Sequence, residues 1–112
     1  MKIKDYAKWC VKTWSSTPSV GKRLYNDKDD FIMICGIAGE VGEVVDVLKK
    51  AVRDKKDIDL VNKKELTLEL GDVLYYYMML CDRFDISLKD IIDANVKKLC
   101  IRDPNKRAAL NK

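Results

Sequence analysis

The stretch FIMICGIAGEVGEVVDVLKK, residues 31–50, decides the fold of this chain and holds its most unusual charges. Its apolar side chains recur with the 3.6-residue period of a helix on more than one stripe, which predicts a long helix buried on several sides. Glu40 and Glu43 interrupt the run three residues apart, so both lie on one helical face and repel each other unless a cation lies between them. The apolar residues expected to be buried are Phe31, Ile34, Cys35, Ile37, Ala38, Val41, Val44, Val45 and Leu48.

Three glycines, Gly36, Gly39 and Gly42, repeat every third residue beside these acids. Each lowers helix propensity by roughly 1 kcal/mol relative to alanine. A row without side chains lets another backbone or a ligand come close, so it fits either tight helix packing or a crowded ligand site.

A second acidic pair, Glu69 and Asp72, has the same spacing within the apolar sequence LELGDVL. Residues 44–68 are long enough to bring the next helix back antiparallel, so four carboxylates can enclose a hard metal ion. The chain contains no histidine, which excludes Ser-His-Asp and Cys-His catalytic sites and the histidine-containing zinc and di-iron motifs. Carboxylate ligands select Mg²⁺ or Mn²⁺ over zinc or copper.

The composition predicts an all-α fold in one domain, residues 1–112. The chain is 47% apolar and 36% charged, with only 5 glycines and 2 prolines, which favours helices over a turn-rich β fold. Neither an apolar run of roughly 18 residues nor a signal sequence is present, so we expect a cytoplasmic protein without a membrane partner. Four cysteines, widely spaced and without a C-x-x-C motif, are expected to be reduced core residues: Cys10, Cys35, Cys81 and Cys100.

Other periodic segments predict three more helices. The first runs from Lys4 to Trp14 and stops at the turn-forming sequence SSTPSVGK. A loop containing Lys22, Arg23 and Tyr25 follows, and Asp29 or Asp30 is expected to cap the long helix. The charged segment 53–64 is predicted to be a loop that includes a short helical turn at most.

The third helix, from Glu65 to about Phe84, is apolar nearly all round. One domain of this size can hardly cover every face of such a helix, so we predict a homo-oligomer, a dimer or tetramer. Ser87, with Asp90 three residues later, has the spacing of an N-terminal cap, and Pro104 ends the last helix. Residues 103–112 are expected to be a basic tail on a four-helix, bundle-like domain. The expected core face of the last helix is Leu88, Ile91, Ile92, Val96 and Leu99.

Three ordered blocks resemble the MazG-like family of nucleoside triphosphate pyrophosphohydrolases, whose signature is E-x-x-E followed by E-x-x-D. The resemblance covers most of the chain, with one departure, Gly39, where many relatives have a further acid. The matching blocks are GIAGEVGEVVD around Glu40 and Glu43, ELGDVLYY around Glu69 and Asp72, and N-x-x-K-L-x-x-R formed by Asn95, Lys98, Leu99 and Arg102.

The resemblance implies an oligomeric all-α enzyme that binds Mg²⁺ through the four acids and hydrolyses a nucleoside triphosphate to the monophosphate and pyrophosphate. The residues suit this chemistry, because a metal ion neutralises phosphate charge and lowers the pKa of an attacking water. One carboxylate that is not fully used as a ligand can take the proton of that water. Glu40 is our candidate for this base, and Glu43, Glu69 and Asp72 are the candidate ligands.

Candidate substrate contacts come from several helices. Lys98, Arg102 and either Lys49 or Lys50 are expected to hold phosphate oxygens, and Asn95 to donate or accept a hydrogen bond. For the base, an aromatic face is required. Trp14 or one of the tyrosines at 75–77 can stack on it, although aromatics at helical spacing are more often core residues.

Two other classes of function remain open. A non-catalytic helical interaction module explains the apolar third helix, and a nucleic-acid-binding dimer explains the basic end of the chain. Both leave four acids in apolar surroundings without a cation, so nucleic acid is the less favoured partner. Mg²⁺-dependent release of pyrophosphate separates the enzyme from both. The basic residues of the last sixteen are Lys97, Lys98, Arg102, Lys106, Arg107 and Lys112.

Overall fold

This computed structural model describes residues 1–14 and 25–111, and the regular structure within those ranges is helical. Within those ranges there are five α-helices, one 3₁₀ turn and no strand, which confirms the all-α prediction. The predicted turn-forming sequence SSTPSVGK, with Lys22 and Arg23, lies outside the described residues. The elements are α1 (Ile3–Trp14), α2 (Asp27–Asp54), the 3₁₀ turn (Ile58–Leu60), α3 (Lys63–Arg83), α4 (Leu88–Arg102) and α5 (Pro104–Ala109).

The chain divides into two compact units, Met1–Leu80 and Cys81–Lys112. The first contains α1, α2, the 3₁₀ turn and most of α3, and the second contains α4 and α5. Each is described by itself below. That the two act as one domain stays a prediction.

The start of α2 differs from the prediction, because Asn26 rather than an aspartate is its N-cap. The Asn26 side chain accepts a hydrogen bond from the Asp29 backbone N–H at 2.8 Å, and the Asp29 carboxylate accepts one from the Asn26 N–H at 3.0 Å. This reciprocal pair satisfies two backbone donors at once, so the helix begins before Asp29 and Asp30. The predicted cap at Ser87 is confirmed, since its hydroxyl accepts from the Asp90 N–H at 3.0 Å.

Residues 104–109, which were expected to belong to a basic tail, form a further helix, α5. Asp103 caps this helix by accepting from the Asn105 N–H at 2.9 Å. Pro104 is tolerated at the first helical position, where its missing N–H would have no partner anyway. The same dipeptide that ends α4 therefore starts a fifth helix, one more than predicted. Within residues 53–64, where the sequence left a short helical turn open, the structure has the 3₁₀ turn.

An aromatic cluster joins α1 to α3 and α2. The Tyr75 hydroxyl lies 3.2 Å from the Thr13 hydroxyl. The Trp14 ring stacks on Tyr75, with centroids 6.3 Å apart, and meets the edge of Tyr76 at 6.0 Å. Its indole N–H donates to the Asp29 carboxylate at 3.1 Å. Three helices are thus fixed to one another around Trp14.

Helices α2 and α3 run antiparallel, as the sequence predicted. Gly36 lies against the ring of Tyr76, where a Cβ would overlap the ring atoms. Further along α2, Glu40 lies within range of the charge of Asp72, and Lys50 within range of the charge of Glu65. As the residue number increases along α2, the neighbouring residues of α3 therefore have decreasing numbers.

The buried core of the described residues is small. The prediction that α2 is buried on several sides is wrong, because many of its apolar side chains are exposed. Phe31 is 67% exposed and Ile34 is 64% exposed, and Val41 and Val45 are exposed as well. The periodic pattern identified apolar residues correctly, but α1 and α3 cover only part of the α2 surface. The fully or nearly buried residues are Cys10, Met33, Val47, Ala51, Met78 and Met79.

The cysteines and α4 show the same difference. All four cysteines are free, as predicted, but only Cys10 is buried, and the core position expected for Cys35 is wrong because it is exposed. On α4, Leu88, Ile91 and Leu99 are half-buried, whereas Ile92 and Val96 are exposed. The expected core face of this helix is therefore only partly covered.

The two kinds of glycine on α2 predict opposite effects on stability. Gly36→Ala should lower the free energy of unfolding by about 1–3 kcal/mol, because Tyr76 is held by Trp14 and Tyr75 and must move. Gly42→Ala is the matched control, since its Cβ would meet open space. It should gain roughly 0.5–1 kcal/mol from better helix propensity. Urea denaturation measures both, and equal shifts would contradict the packing role of Gly36.

Candidate active site

Three carboxylates meet where α2 faces α3. Glu40 comes from α2, and Glu69 and Asp72 come from one turn of α3. Each offers a carboxylate oxygen, and these oxygens all lie within 4.8 Å of one another. Glu40 and Glu69 are half-buried and Asp72 is exposed. Two acidic pairs separated by residues 44–68 thus supply one cluster, because the helices run antiparallel.

The two glutamates of the cluster have raised pKa values. Burial, followed by the charges of Asp72, Glu69 and Glu43, raises the pKa of Glu40. Burial, followed by the charges of Asp72, Glu43 and Glu65, raises the pKa of Glu69. In both cases the negative form is disfavoured by lost hydration and by neighbouring negative charge. A bound cation would reverse the second effect.

The fourth predicted ligand, Glu43, is placed differently. It is exposed and does not belong to the three-acid group. Its charge nevertheless contributes to the raised pKa of both Glu40 and Glu69. Glu43 therefore lies beside the cluster, one turn further along α2.

The three-acid group suits a small hard cation. All its donors are carboxylate oxygens, the ligand type that Mg²⁺ prefers. Ligands about 2.1 Å from one ion are at most about 4.2 Å apart, so a small side-chain rotation brings these oxygens into coordination range. Three carboxylate oxygens would leave the other coordination positions of an octahedral cation to water or phosphate oxygens.

The two candidate lysines of α2 are exposed and share one carboxylate. The Asp46 carboxylate lies 3.2 Å from the Lys50 ammonium and 4.0 Å from that of Lys49. The hydrogen bond and charge of Asp46, and then the charge of Glu65, raise the pKa of Lys50. Phosphate binding by Lys49 or Lys50 stays a prediction.

Asn95, Lys98 and Arg102 lie on α4, in the second unit, and are exposed. Spacings of three and four residues place them on one side of that helix. Lys98 and Arg102 line a shallow groove together with Ala94, Lys97 and Ile101. Their binding to substrate stays a prediction, as does stacking by Trp14, whose half-buried ring contacts Tyr75 and Tyr76.

The sequence predicted only that Tyr6 and Trp9 lie on the first helix, and α1 brings both against the part of α3 that carries Asp72 and Tyr75. Burial, a hydrogen bond with the Cys10 thiol and, more weakly, the charge of Asp72 raise the pKa of Tyr6 to about 12. The rings of Tyr6 and Trp9 stack with centroids 5.9 Å apart. The signal available in the sequence was their spacing, since Tyr6, Trp9 and Thr13 share one face of α1.

No helix among the described residues is both long and apolar enough to cross a membrane.

The chain resembles known proteins along much of its length. The chain is 38% identical over 65 residues to the Gene 37 protein of Mycobacterium phage L5, an alignment that covers 57% of each protein. It is 29% identical over 112 residues to the Uncharacterized protein YvdC of Bacillus subtilis (strain 168), covering 91% of this chain and 96% of the relative. No solved structure gives a significant match.

A family model, described as the MazG nucleotide pyrophosphohydrolase domain, matches residues 32–106. The match extends from the start of α2 into α5 and includes both acidic pairs, Asn95, Lys98 and Arg102. The cluster formed by Glu40, Glu69 and Asp72 is consistent with the metal site of that family. The chain therefore belongs to the MazG nucleotide pyrophosphohydrolase family, which its acidic motifs predicted.

Proposed function

We propose that the protein is a Mg²⁺-dependent pyrophosphohydrolase that converts a ribo- or deoxyribonucleoside triphosphate into the monophosphate and pyrophosphate. The observation that carries this proposal is the cluster of Glu40, Glu69 and Asp72 within 4.8 Å of one another, inside the region matched to the MazG family. A nucleotide substrate follows from the family. The bond that is cleaved follows from the E-x-x-E and E-x-x-D pattern, which the family resemblance links to pyrophosphate release.

In this proposal Glu69, Asp72 and one oxygen of Glu40 hold the cation, and Glu43 is a further ligand from the next turn of α2. Mg²⁺ is the expected ion, and Mn²⁺ can replace it because both prefer oxygen ligands. When bound, the cation neutralises triphosphate charge and makes a neighbouring water more acidic. The carboxylates that would hold it come from both α2 and α3.

Glu40 is proposed as the general base. It is the acid that α2 adds to the two α3 acids, and one of its carboxylate oxygens lies within 4.8 Å of theirs. The other oxygen can accept a proton from water as the water oxygen attacks phosphorus at the α–β bridge. The bridging P–O bond then breaks, and nucleoside monophosphate and pyrophosphate separate.

Basic and amide side chains are proposed to bind the triphosphate. Lys98 and Arg102 each carry a full positive charge and several N–H donors, which suits phosphate oxygens. Asn95 adds a hydrogen bond one turn earlier, and Lys49 adds a charge from α2. These side chains position the substrate, while the acids supply the reacting centre.

The proposed enzyme is a homo-oligomer, a dimer or tetramer. Several large apolar side chains are exposed on the neighbouring helices α2 and α3. A second copy of the chain would cover them. They include Phe31, Ile34, Val41, Val45, Leu68, Leu70 and Leu74. A non-catalytic interaction module would use the same surfaces, but it would leave the clustered acids without a role.

Metal binding predicts a rise in stability that depends on the acids. Mg²⁺ at about a hundred times its dissociation constant should add about 2.7 kcal/mol to the free energy of unfolding. Glu69→Gln should reduce that gain, whereas Asp93→Asn, which removes an exposed acid paired with Lys89, should retain it. Thermal denaturation with and without EDTA measures the effect. No gain in the wild type with either Mg²⁺ or Mn²⁺ would contradict the metal site.

Replacement of single acids predicts loss of turnover without loss of fold. Glu43→Gln and Asp72→Asn should abolish Mg²⁺-dependent pyrophosphate release from a panel of nucleoside triphosphates. Glu40→Gln should lower kcat by roughly 10²- to 10⁴-fold, the range of general-base catalysis. Circular dichroism should show intact or slightly more stable proteins, because like-charge repulsion falls. Retained activity in both Glu43→Gln and Asp72→Asn would remove these acids from the site.

Basic side chains on α4 predict an effect on substrate alone. Lys98→Ala or Arg102→Ala should lose roughly 1.5–3 kcal/mol of charge-assisted hydrogen bonding, or on the order of ten- to a hundredfold in kcat/KM. Mg²⁺ affinity should barely change. Lys89→Ala is the control, because Lys89 lies on the same helix and pairs with Asp93. Wild-type kcat/KM in both test variants would exclude this part of α4.

Oligomerisation predicts a solution mass that is a multiple of 12.9 kDa. Leu70→Lys should weaken the assembly, because it would place a charge on an apolar side chain that is half exposed on α3. Light scattering at micromolar concentration measures both proteins. A wild-type mass near that of one chain would overturn the oligomer proposal.

A further inference from the structure

Two aromatic side chains on α1 form a stacked pair that is open to solvent. The rings of Tyr6 and Trp9 have centroids 5.9 Å apart and planes inclined by only 23°. Tyr6 is half-buried, and Trp9 remains 46% exposed. An indole is a large apolar surface, and leaving nearly half of it in water forgoes much of its hydrophobic stabilisation. The pair is therefore a surface on which a flat apolar ligand can gain binding energy.

The position of this pair relates it to the acids. The Trp9 ring meets the edge of Tyr75, with centroids 6.3 Å apart at 76°. Tyr75 follows Asp72 by three residues on α3, so the two lie on the same side of that helix about one turn apart. Trp9 thus lies against α3 next to the turn that carries the acid cluster. The influence of Asp72 on the Tyr6 phenol supports the same placement.

We propose that Trp9, supported by Tyr6, is the platform on which the nucleobase of the substrate stacks. This proposal rests on the proposed function, since it requires a nucleoside triphosphate whose phosphates lie at the acids. The sugar then spans the short distance along α3 between the two. Trp9 thus supplies affinity that is independent of hydrogen bonds to the base edges, because every base offers a π face.

The other tryptophan is less suited to this role because its contacts lie within the protein. The Trp14 ring stacks on Tyr75 and meets the edge of Tyr76, and its N–H donates to Asp29. It holds Tyr75 in place, and Tyr75 in turn contacts Trp9. Trp14 is thereby a positioning residue for the platform.

A pair of substitutions at Trp9 separates stacking from simple apolar contact. Trp9→Phe keeps a π face, and Trp9→Leu keeps an apolar side chain without one. The probes are an α,β-methylene nucleoside triphosphate, which resists the proposed cleavage, and inorganic tripolyphosphate, which has no base. Both are titrated calorimetrically with Mg²⁺ present. Phe84→Leu is the control, since Phe84 is an exposed aromatic on the second unit beside Arg83.

The expected result is selective for the base. Trp9→Leu should bind the nucleotide roughly 5- to 100-fold more weakly and tripolyphosphate as tightly as the wild type. Trp9→Phe should retain nucleotide affinity within about threefold, and Phe84→Leu should be unchanged. Wild-type nucleotide affinity in Trp9→Leu would overturn the platform and leave the pyrophosphohydrolase proposal standing. Equal loss of both probes with a changed oligomer mass would also overturn it, by identifying Trp9 as a subunit contact. If the wild type binds neither probe, both proposals fall.

Discussion

The contact between the Tyr76 ring and the backbone of Gly36 sets how α2 lies along α3. Four residues further along α2 comes Glu40, and four residues back along α3 comes Asp72. One contact therefore places the two carboxylates opposite each other, one helical turn away. Because each residue turns a helix by about 100°, a shift of one position would rotate either carboxylate out of the interface. Trp14 contacts Tyr76, so the geometry of the acids depends on the packing of α1.

The same geometry works against the stability of the fold. An acid whose pKa is raised in the folded chain binds its proton more tightly there than in the unfolded chain. The free energy of unfolding therefore falls as the pH rises from the pKa of that acid in the unfolded chain to its higher pKa in the folded chain. Burial, and after it the charge of neighbouring carboxylates, raises the pKa values of Glu40 and Glu69. Packing around Tyr75 and Tyr76 must hold the helices together despite this repulsion. A divalent cation would remove the repulsion at its source.

The features that the sequence predicted well are those with a local cause. Apolar periodicity located the helices, and the Ser87 cap followed from a side chain three residues before its partner N–H. The start of α2 was placed late because Asn26 and Asp29 both have capping side chains, and only their reciprocal hydrogen bonds decide between them. The fifth helix was missed because an Asp-Pro pair ends one helix and begins another equally well.

Features that depend on the relative placement of helices could not be predicted in the same way. The spacing of the acids indicated a cluster, but whether Glu43 or Glu40 completes it depends on the rotation of α2 about its axis. The position of Trp9 beside α3 depends on the packing of α1 against Tyr75. The prediction of which α2 side chains are buried was wrong for a related reason. A pattern shows which residues are apolar, but not whether another layer of structure covers them.

Packing among the described residues does not explain the three glycines that precede acids. Glu40, Glu43 and Asp72 each follow a glycine directly, at Gly39, Gly42 and Gly71. A Cβ at any of these three glycines would meet no atom within 4 Å, in contrast to Gly36, so contacts among the described residues do not require them. Each weakens its helix by roughly 1 kcal/mol relative to alanine. They leave space beside three carboxylates, and under the proposed function a hydrated cation with its phosphate ligands would occupy that space.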